Sequence, residues 1–285
     1  MSALGVIGGS GLYQMAGLED RREEKVGTPF GDPSDSYVLG RLGGRDVAFL
    51  ARHGRGHRIL PSEINFRANI YGFKALGAGR IVSVSAVGSL KEEIRPLDVV
   101  LPDQFIDWTR HRPSTFFGSG IVAHVSLADP VCPDLHAVLC EAAGTCGARA
   151  RRSGTYVCIE GPQFSTRAES RLYRSFEADV IGMTNAQEAK LAREAEICYA
   201  TLAMVTDYDC WRAGADPVTV EEVVARLNDN ALMAQSILAR AIGRLPEARS
   251  CACAIALHNA ILTDPASVPR ESRERLRLLV GKRLG

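Results

Sequence analysis

The chain lacks a charge excess of either sign. Its 34 Lys and Arg residues stand against 33 Asp and Glu, a formal net charge of +1. No electrostatic case for nucleic acid or an acidic surface arises from that balance. It also lacks an apolar run of membrane-spanning length, so no membrane partner is expected. The start, Met1-Ser2-Ala3-Leu4-Gly5, has no basic region before a strand-like segment. No signal peptide is expected, and the cytoplasm is the expected compartment. There is no internal repeat, low-complexity tract or linker, and 285 residues suffice for one large domain.

A metal-spaced cysteine pattern is missing as well. Of eight cysteines, Cys132, Cys140, Cys146, Cys158, Cys198 and Cys210 are scattered among apolar residues and read as small core hydrophobes. Cys251-Ala252-Cys253 leaves a gap shorter than zinc ligands usually have, and no second pair accompanies it. Reduced thiols are expected there, with a tight disulfide or redox-labile pair as the alternative. No metal is expected.

What is present is an alternation of apolar, β-branched runs with helix-like stretches. Strands are expected at Leu4 to Ile7, Val47 to Ala51, Arg80 to Ala86, Val99 to Leu101, Tyr156 to Ile159, Asp179 to Ile181 and Ile197 to Val205. Helices are expected at Ser62 to Leu76, Asp134 to Cys146, Arg167 to Phe176 and Ala186 to Ala195. From Val218 to Ile242, Val220, Val223, Val224, Leu227, Ala231, Ala234 and Leu238 recur on one helical face, with Thr219 a candidate cap and Gly243 a candidate stop. The pattern predicts an α/β fold: one domain over 1–285 with a central mixed, mainly parallel sheet flanked by helices. Residues 246–285 read as a C-terminal helical extension, with a short helix at Glu271 to Leu279.

Chemistry-bearing residues cluster where strands end. The pair Asp207 and Asp209 follows the last apolar run. Two acids there are costly to bury and ionise together, so one should keep a proton near neutrality. A solvated acidic turn is the alternative. Gly8-Gly9-Ser10-Gly11 offers converging backbone donors and a hydroxyl but fails the dinucleotide pattern, leaving a phosphate turn or a plain tight turn. Arg52-His53-Gly54-Arg55-Gly56-His57-Arg58 supplies Arg52 for a two-pronged phosphate clamp and His53 as a further donor, or else is a solvated basic loop. Ser85 and Ala86 open a small turn after a third strand. Thr184 is a cap or a phosphate donor; Ser165 or Thr166 caps a helix with Glu169. Phe164, taken alone, reads as a core plug rather than a flat surface for a ring. Ligands of open α/β sheets collect at the carboxyl ends of strands, and Ser10, Arg52, Ser85 and Asp207 converge on such ends.

Seven segments in order then carry a resemblance. They are Gly8-Gly9-Ser10-Gly11-Leu12, Thr28-Pro29-Phe30-Gly31, Leu50-Ala51-Arg52-His53-Gly54-Arg55, Asn65-Phe66-Arg67-Ala68-Asn69-Ile70, Asp103-Gln104-Phe105-Ile106-Asp107, Ile159-Glu160-Gly161-Pro162 and Thr206-Asp207-Tyr208-Asp209-Cys210-Trp211. Together they resemble the trimeric purine nucleoside phosphorylases, in particular the branch acting on 5′-methylthioadenosine. The likeness runs from Gly5 to about Ala241, and Cys251 to Lys282 is similar to the longer prokaryotic form.

The resemblance implies phosphorolysis to adenine and 5-methylthioribose 1-phosphate, with inorganic phosphate as co-substrate and no cofactor. It implies phosphate on Ser10, Arg52, His53, Ser85, Ala86 and Thr184. Met183 would meet the ribose, Phe164 and Ser165 the purine region, Asp207 and Asp209 the adenine edge. Val220 and Val223 would line a 5′-alkylthio pocket. His124 would reach a neighbouring subunit's site in a homo-oligomer, a trimer or dimer of trimers. The chain carries Ser at positions 10 and 85 where some relatives have Thr, which keeps the hydroxyl. Asp207, where 6-oxopurine relatives carry Asn, implies an amino-bearing base. Alternatives are a purine nucleoside or methylthioinosine phosphorylase, an enzyme for another 5′-modified 5′-deoxyadenosine, a nucleosidase using water, and a non-catalytic nucleoside-binding protein.

Overall fold

The computed structural model describes residues 3–212 and 220–284. Alternation within single strands sets the layers. In β1 (Ala3–Gly8) Val6 faces one core and Ile7 the other; in β4 (Arg45–Ala51) Val47 and Phe49 oppose Ala48 and Leu50. A period of two with both faces apolar calls for helices on both sides. On the first face lie α2 (Pro133–Thr145) and α5 (Val220–Ile242). On the second lie α1 (Phe66–Ala75) and α4 (Asn185–Glu194). The fold is α/β with one mixed sheet, as expected.

The longest strand, β5 (Ala78–Ser89), is the spine. Its first half pairs parallel with β1 up to Ser83, while β11 (Cys198–Asp207) runs parallel along its other edge to Gly88. Beyond β1, β10 (Val180–Gly182) takes the first edge in antiparallel sense at Gly88 and Ser89. Next come β9 (Thr155–Ile159) and β7 (Gln104–Trp108), both parallel. β2 (Glu19–Glu24) and β3 (Tyr37–Leu42) extend the sheet beyond β4, and β6 (Val99–Val100) and β8 (Ala150–Arg151) continue from β11. Among the described residues, six of the ten strand pairings are parallel.

Three expectations are corrected. The turn expected at Ala86 to Gly88 is strand: β11 pairs with it, so the strand runs on. The C-terminal helix is two, α6 (Arg270–Arg275) and α7 (Arg277–Leu284), broken at buried Leu276. The N-terminal half of the α5 face is left exposed by the described residues: Val224 is 54% exposed and Leu227 39%, while Ala234, Ile237 and Leu238 are buried. In that half Arg226 donates to the Thr206 carbonyl at 2.8 Å and Asn230 to that of Val205 at 3.1 Å. Thr219 lies outside the described residues. The segment after α5 packs into the body, for Leu257, Val268, Leu276 and Val280 join the second core.

Candidate active site

Two strand exits lie side by side, next to the middle of β5, because their registers match. Gly8 pairs with Ala51, and Ile7 with Ser83. The chain leaves β1 through Gly9 into a 3-10 turn, Ser10–Gln14. It leaves β4 into Arg52, whose backbone N–H donates to the Gly8 carbonyl at 2.9 Å. The side chain of Gln235, on α5, ties this turn down through the Gly11 carbonyl at 2.9 Å. The Ser10 side chain lies outside what the structure describes.

Arg52 is buried and its guanidinium is largely committed. Nε donates to Glu188 Oε1 at 2.5 Å, Nη1 to the Val84 carbonyl at 2.9 Å, and Nη2 to Ser83 Oγ at 2.6 Å and Glu188 Oε2 at 3.2 Å. Burial disfavours the cation, but the Glu188 carboxylate more than offsets this and holds it more firmly charged than usual. The two-pronged anion clamp expected of Arg52 is therefore corrected. Glu188 occupies the fork, and among the described residues one Nη1 hydrogen is left over. Glu188 was not legible as a site residue; it enters from the first turn of α4, 136 residues away in sequence.

The network continues. Tyr199 donates to Glu188 at 2.9 Å; Asn185 donates to Thr201 at 2.7 Å and to Ser83 at 3.4 Å. Thr184 holds the N-cap position without capping; its hydroxyl goes to Asn185 Oδ1 at 3.1 Å. Ser85 and Ala86 lie on the half of β5 that has outrun β1. Ser85 Oγ sits 3.4 Å from Tyr156 Oη, and Ala86 is exposed.

His53 also departs from expectation. Its Nδ1 is 2.8 Å from the Ile59 carbonyl, which can only accept, so Nδ1 carries the proton. Burial foremost, with Arg52, His57 and Arg112 nearby, lowers its pKa to about 4, leaving the ring neutral. Nε2 is then an acceptor, suited to a P–OH group rather than to donating.

The acid pair is buried, Asp207 9% and Asp209 8% exposed. Asp207 Oδ2 accepts from Thr206 at 2.6 Å and Oδ1 from the Asp209 N–H at 2.8 Å. Burial, reinforced by Asp209, still raises its pKa above the usual carboxylate range; burial does the same to Asp209. The solvated-turn alternative is thus excluded. Asp209 Oδ2 is buried without a hydrogen-bond partner among the described residues, as are the hydroxyls of Ser165 and Ser170, which favour the charged form of Asp209 against burial. An orphaned buried acceptor is costly unless something donates to it. Gly88 makes room for the pair: a Cβ there would stand 2.9 Å from Asp207 Oδ1.

Arg112, not legible in the sequence, ties the exit of β9 to that of β10. It donates to the carbonyls of Ile159, Glu160 and Met183 and pairs with Glu160 at 2.9 Å. Met183 packs on Gly161, whose Cβ would strike its sulfur at 2.5 Å. Phe164 is 47% exposed, so the core-plug reading is overturned; the loop turns it outward, held by a capping box of Thr166 and Glu169 at the start of α3 (Arg167–Ser175). Thr166→Ala should cost about 1 kcal/mol in a urea melt, the usual worth of a cap.

His124 lies away from this chain's own acid pair and strand exits, and two valines lie outside the described side chains. His124 is exposed, its N–H bonded to the Ala260 carbonyl at 2.8 Å, beside the C-terminal segment. Val220 and Val223 lie in the first turn of α5, but their side chains fall outside what the structure describes.

Known proteins decide the family. A profile described as the phosphorylase superfamily matches residues 3–243. An S-methyl-5′-thioadenosine phosphorylase of Koribacter versatilis is 61% identical over 282 residues, covering 99% of this chain and 97% of its own. One from Geobacter sulfurreducens is 59% identical, covering 98% of each. The chain belongs to the S-methyl-5′-thioadenosine phosphorylases of the phosphorylase superfamily. Solved structures of the family agree. A methylthioadenosine phosphorylase from an antarctic soil metagenomic library matches with a TM-score of 0.92 at 51% identity over 98% of both chains. One from Schistosoma mansoni in complex with adenine matches at 0.82 and 36% identity, covering 86% of this chain and 93% of that one.

Proposed function

We propose that this protein cleaves S-methyl-5′-thioadenosine with inorganic phosphate, giving adenine and 5-methylthioribose 1-phosphate. The observation that carries it is the acid pair: two carboxyls whose proton-bound forms burial favours, with one oxygen that has no donor among the described residues. Adenine presents the complement, a ring N7 that accepts and a 6-amino group that donates. Asp207 gives its proton to N7, turning adenine into a better leaving group, and Asp209 Oδ2 accepts from the amino group. Such acid assistance is worth about 10²- to 10⁴-fold.

Phosphate takes the other end. Exposed Ala86, Ser85, Thr184 and Ser10 supply donors, Arg52 its last Nη1 hydrogen, and His53 Nε2 receives the phosphate's own proton. Positive charge builds on the ribose as the bond to N9 lengthens, and the anion stabilises it and bonds to C1′. Phe164 and Ser165 flank the purine, and Met183 underlies the sugar. From their place in the sequence, Val220 and Val223 are assigned to the 5′-methylthio pocket. The reaction needs no organic cofactor.

The proposal includes a homo-oligomer, a trimer or dimer of trimers, in which His124 completes a neighbour's site. Exposed Val122, on the same arm as His124, and exposed Leu262 beside it support a covered surface there. The cytoplasm is the proposed compartment; no helix among the described residues is long and apolar enough to cross a membrane.

The test is adenine release in phosphate-free and phosphate-containing buffer across methylthioadenosine, adenosine, methylthioinosine and inosine. Release is expected only with phosphate, fastest from methylthioadenosine. Release in water alone would make it a nucleosidase, and affinity without release a binding protein.

A further inference from the structure

Far from the acid pair, the fold gathers four cysteines that the sequence scatters. The sulfurs of Cys132, Cys198, Cys251 and Cys253 all lie within 4.8 Å of one another. Cys132 is the N-cap of α2, Cys198 opens β11, and Cys251 and Cys253 straddle the entry to a 3-10 turn at Ala252–Ile255. Cys132 and Cys198 are buried in the first core, as expected, and the fold also brings them to Cys251 and Cys253.

We propose that these four side chains bind one zinc ion in a closed tetrahedral thiolate site. A zinc–sulfur distance of about 2.3 Å gives a tetrahedron with sulfur–sulfur edges of about 3.8 Å. The observed separations bracket that size: Cys198 and Cys251 lie 3.3 Å apart and no pair exceeds 4.8 Å, so small shifts of either sign reach it. Two disulfides would instead take the sulfurs in pairs, whereas four mutually close sulfurs suit a single ion. Soft thiolates select zinc over hard cations, and four of them leave no open position for chemistry, so the role is structural. Binding replaces the four thiol protons, which pass to solvent.

The backbone around the cluster is already fixed. The Cys132 N–H donates to the Tyr199 carbonyl at 2.9 Å. Arg249 donates to the carbonyls of Gly79 at 3.1 Å and Glu196 at 2.6 Å, and Arg80 to that of Ala248 at 2.9 Å. These contacts hold in place the segment that leads into Cys251. Cys132, Cys198 and Cys253 are buried, while half-buried Cys251 gives the ion an entry path. Cys198 and Asp207 are the two ends of ten-residue β11, roughly 30 Å apart at strand rise, so the site does not share the catalytic region. Its effect is to rivet the segment after α5 onto the sheet.

The test uses the full chain purified with reductant from zinc-supplemented cultures. Elemental analysis should find one zinc per chain, and Cys132→Ser and Cys253→Ser should lose it. Because either variant could misfold, the unaltered chain from zinc-depleted cultures is titrated with Co²⁺. Thiolate-to-cobalt charge-transfer bands and strong tetrahedral d–d bands should rise to one equivalent and bleach with Zn²⁺. Absence of both zinc and these cobalt bands would overturn the proposal. So would zinc retained by both variants, or thiols of the cluster found paired as disulfides in the zinc-supplemented protein.

Discussion

Asp207→Asn should lower adenine release from methylthioadenosine by about 10²- to 10⁴-fold, the usual worth of a positioned acid. The fold should hardly notice. The amide oxygen can still accept from the Asp209 N–H, and its NH₂ can donate to Thr206 Oγ1. Thr206 then turns its proton to the Val87 carbonyl, 3.2 Å away. Melting should match the parent while the proton for N7 is gone. A neutral amide serves a 6-oxopurine better, so the ratio of methylthioinosine to methylthioadenosine turnover should rise. A side-by-side assay reads both; an unchanged ratio with unchanged turnover would remove Asp207 from the base edge. The raised pKa of Asp207 sets the sign of the pH dependence. The protonated acid is the active form, so the acid-dependent rate falls as pH rises through that value.

The second large effect concerns Arg52 and Glu188. Breaking a buried ion pair by removing one partner costs about 3–5 kcal/mol, because the other charge stays buried and uncompensated. Arg52→Met and Glu188→Leu should each destabilise the chain by that much in urea or thermal melts. The double variant should recover most of the loss, since apolar replacement of a whole buried pair is often neutral. It should not recover phosphate saturation, because the Nη1 donor is gone and Ser83 and Tyr199 lose their partners. Saturation by phosphate in the double variant equal to the parent's would show that the pair serves the fold alone.

The parts legible in sequence share a local signature. β1, β4, β5 and β11 read as β-branched apolar runs, and their exits carry Gly9, Arg52 and Asp207. β2 escaped because Glu19–Glu24 is exposed throughout and carries only charge. β7, Gln104–Trp108, is partly buried and has no apolar alternation. In the site, residue types were legible but their partners were not. Glu188 meets Arg52 across 136 residues, and Arg112 reaches Met183 across 71. Which fork a guanidinium fills, and which tautomer His53 adopts, depend on contacts that exist only once the sheet is assembled. The four-cysteine cluster is the extreme case: Cys198 meets Cys251 across 53 residues, and no spacing rule links them.

One consequence follows from the continuity of β5. Ser85 and Ala86, the residues proposed to meet the anion, and Gly88, packed against Asp207, stand two to three residues apart on one strand. The gap between the two ends of the reaction is thus a ruler of roughly 7 to 10 Å, graduated by strand rise and not by any loop closing. Lineages that change the base or the 5′ group can redraw α5 and the loop around Phe164 without disturbing that ruler. Substrate scope can drift while the stroke of the chemistry stays constant.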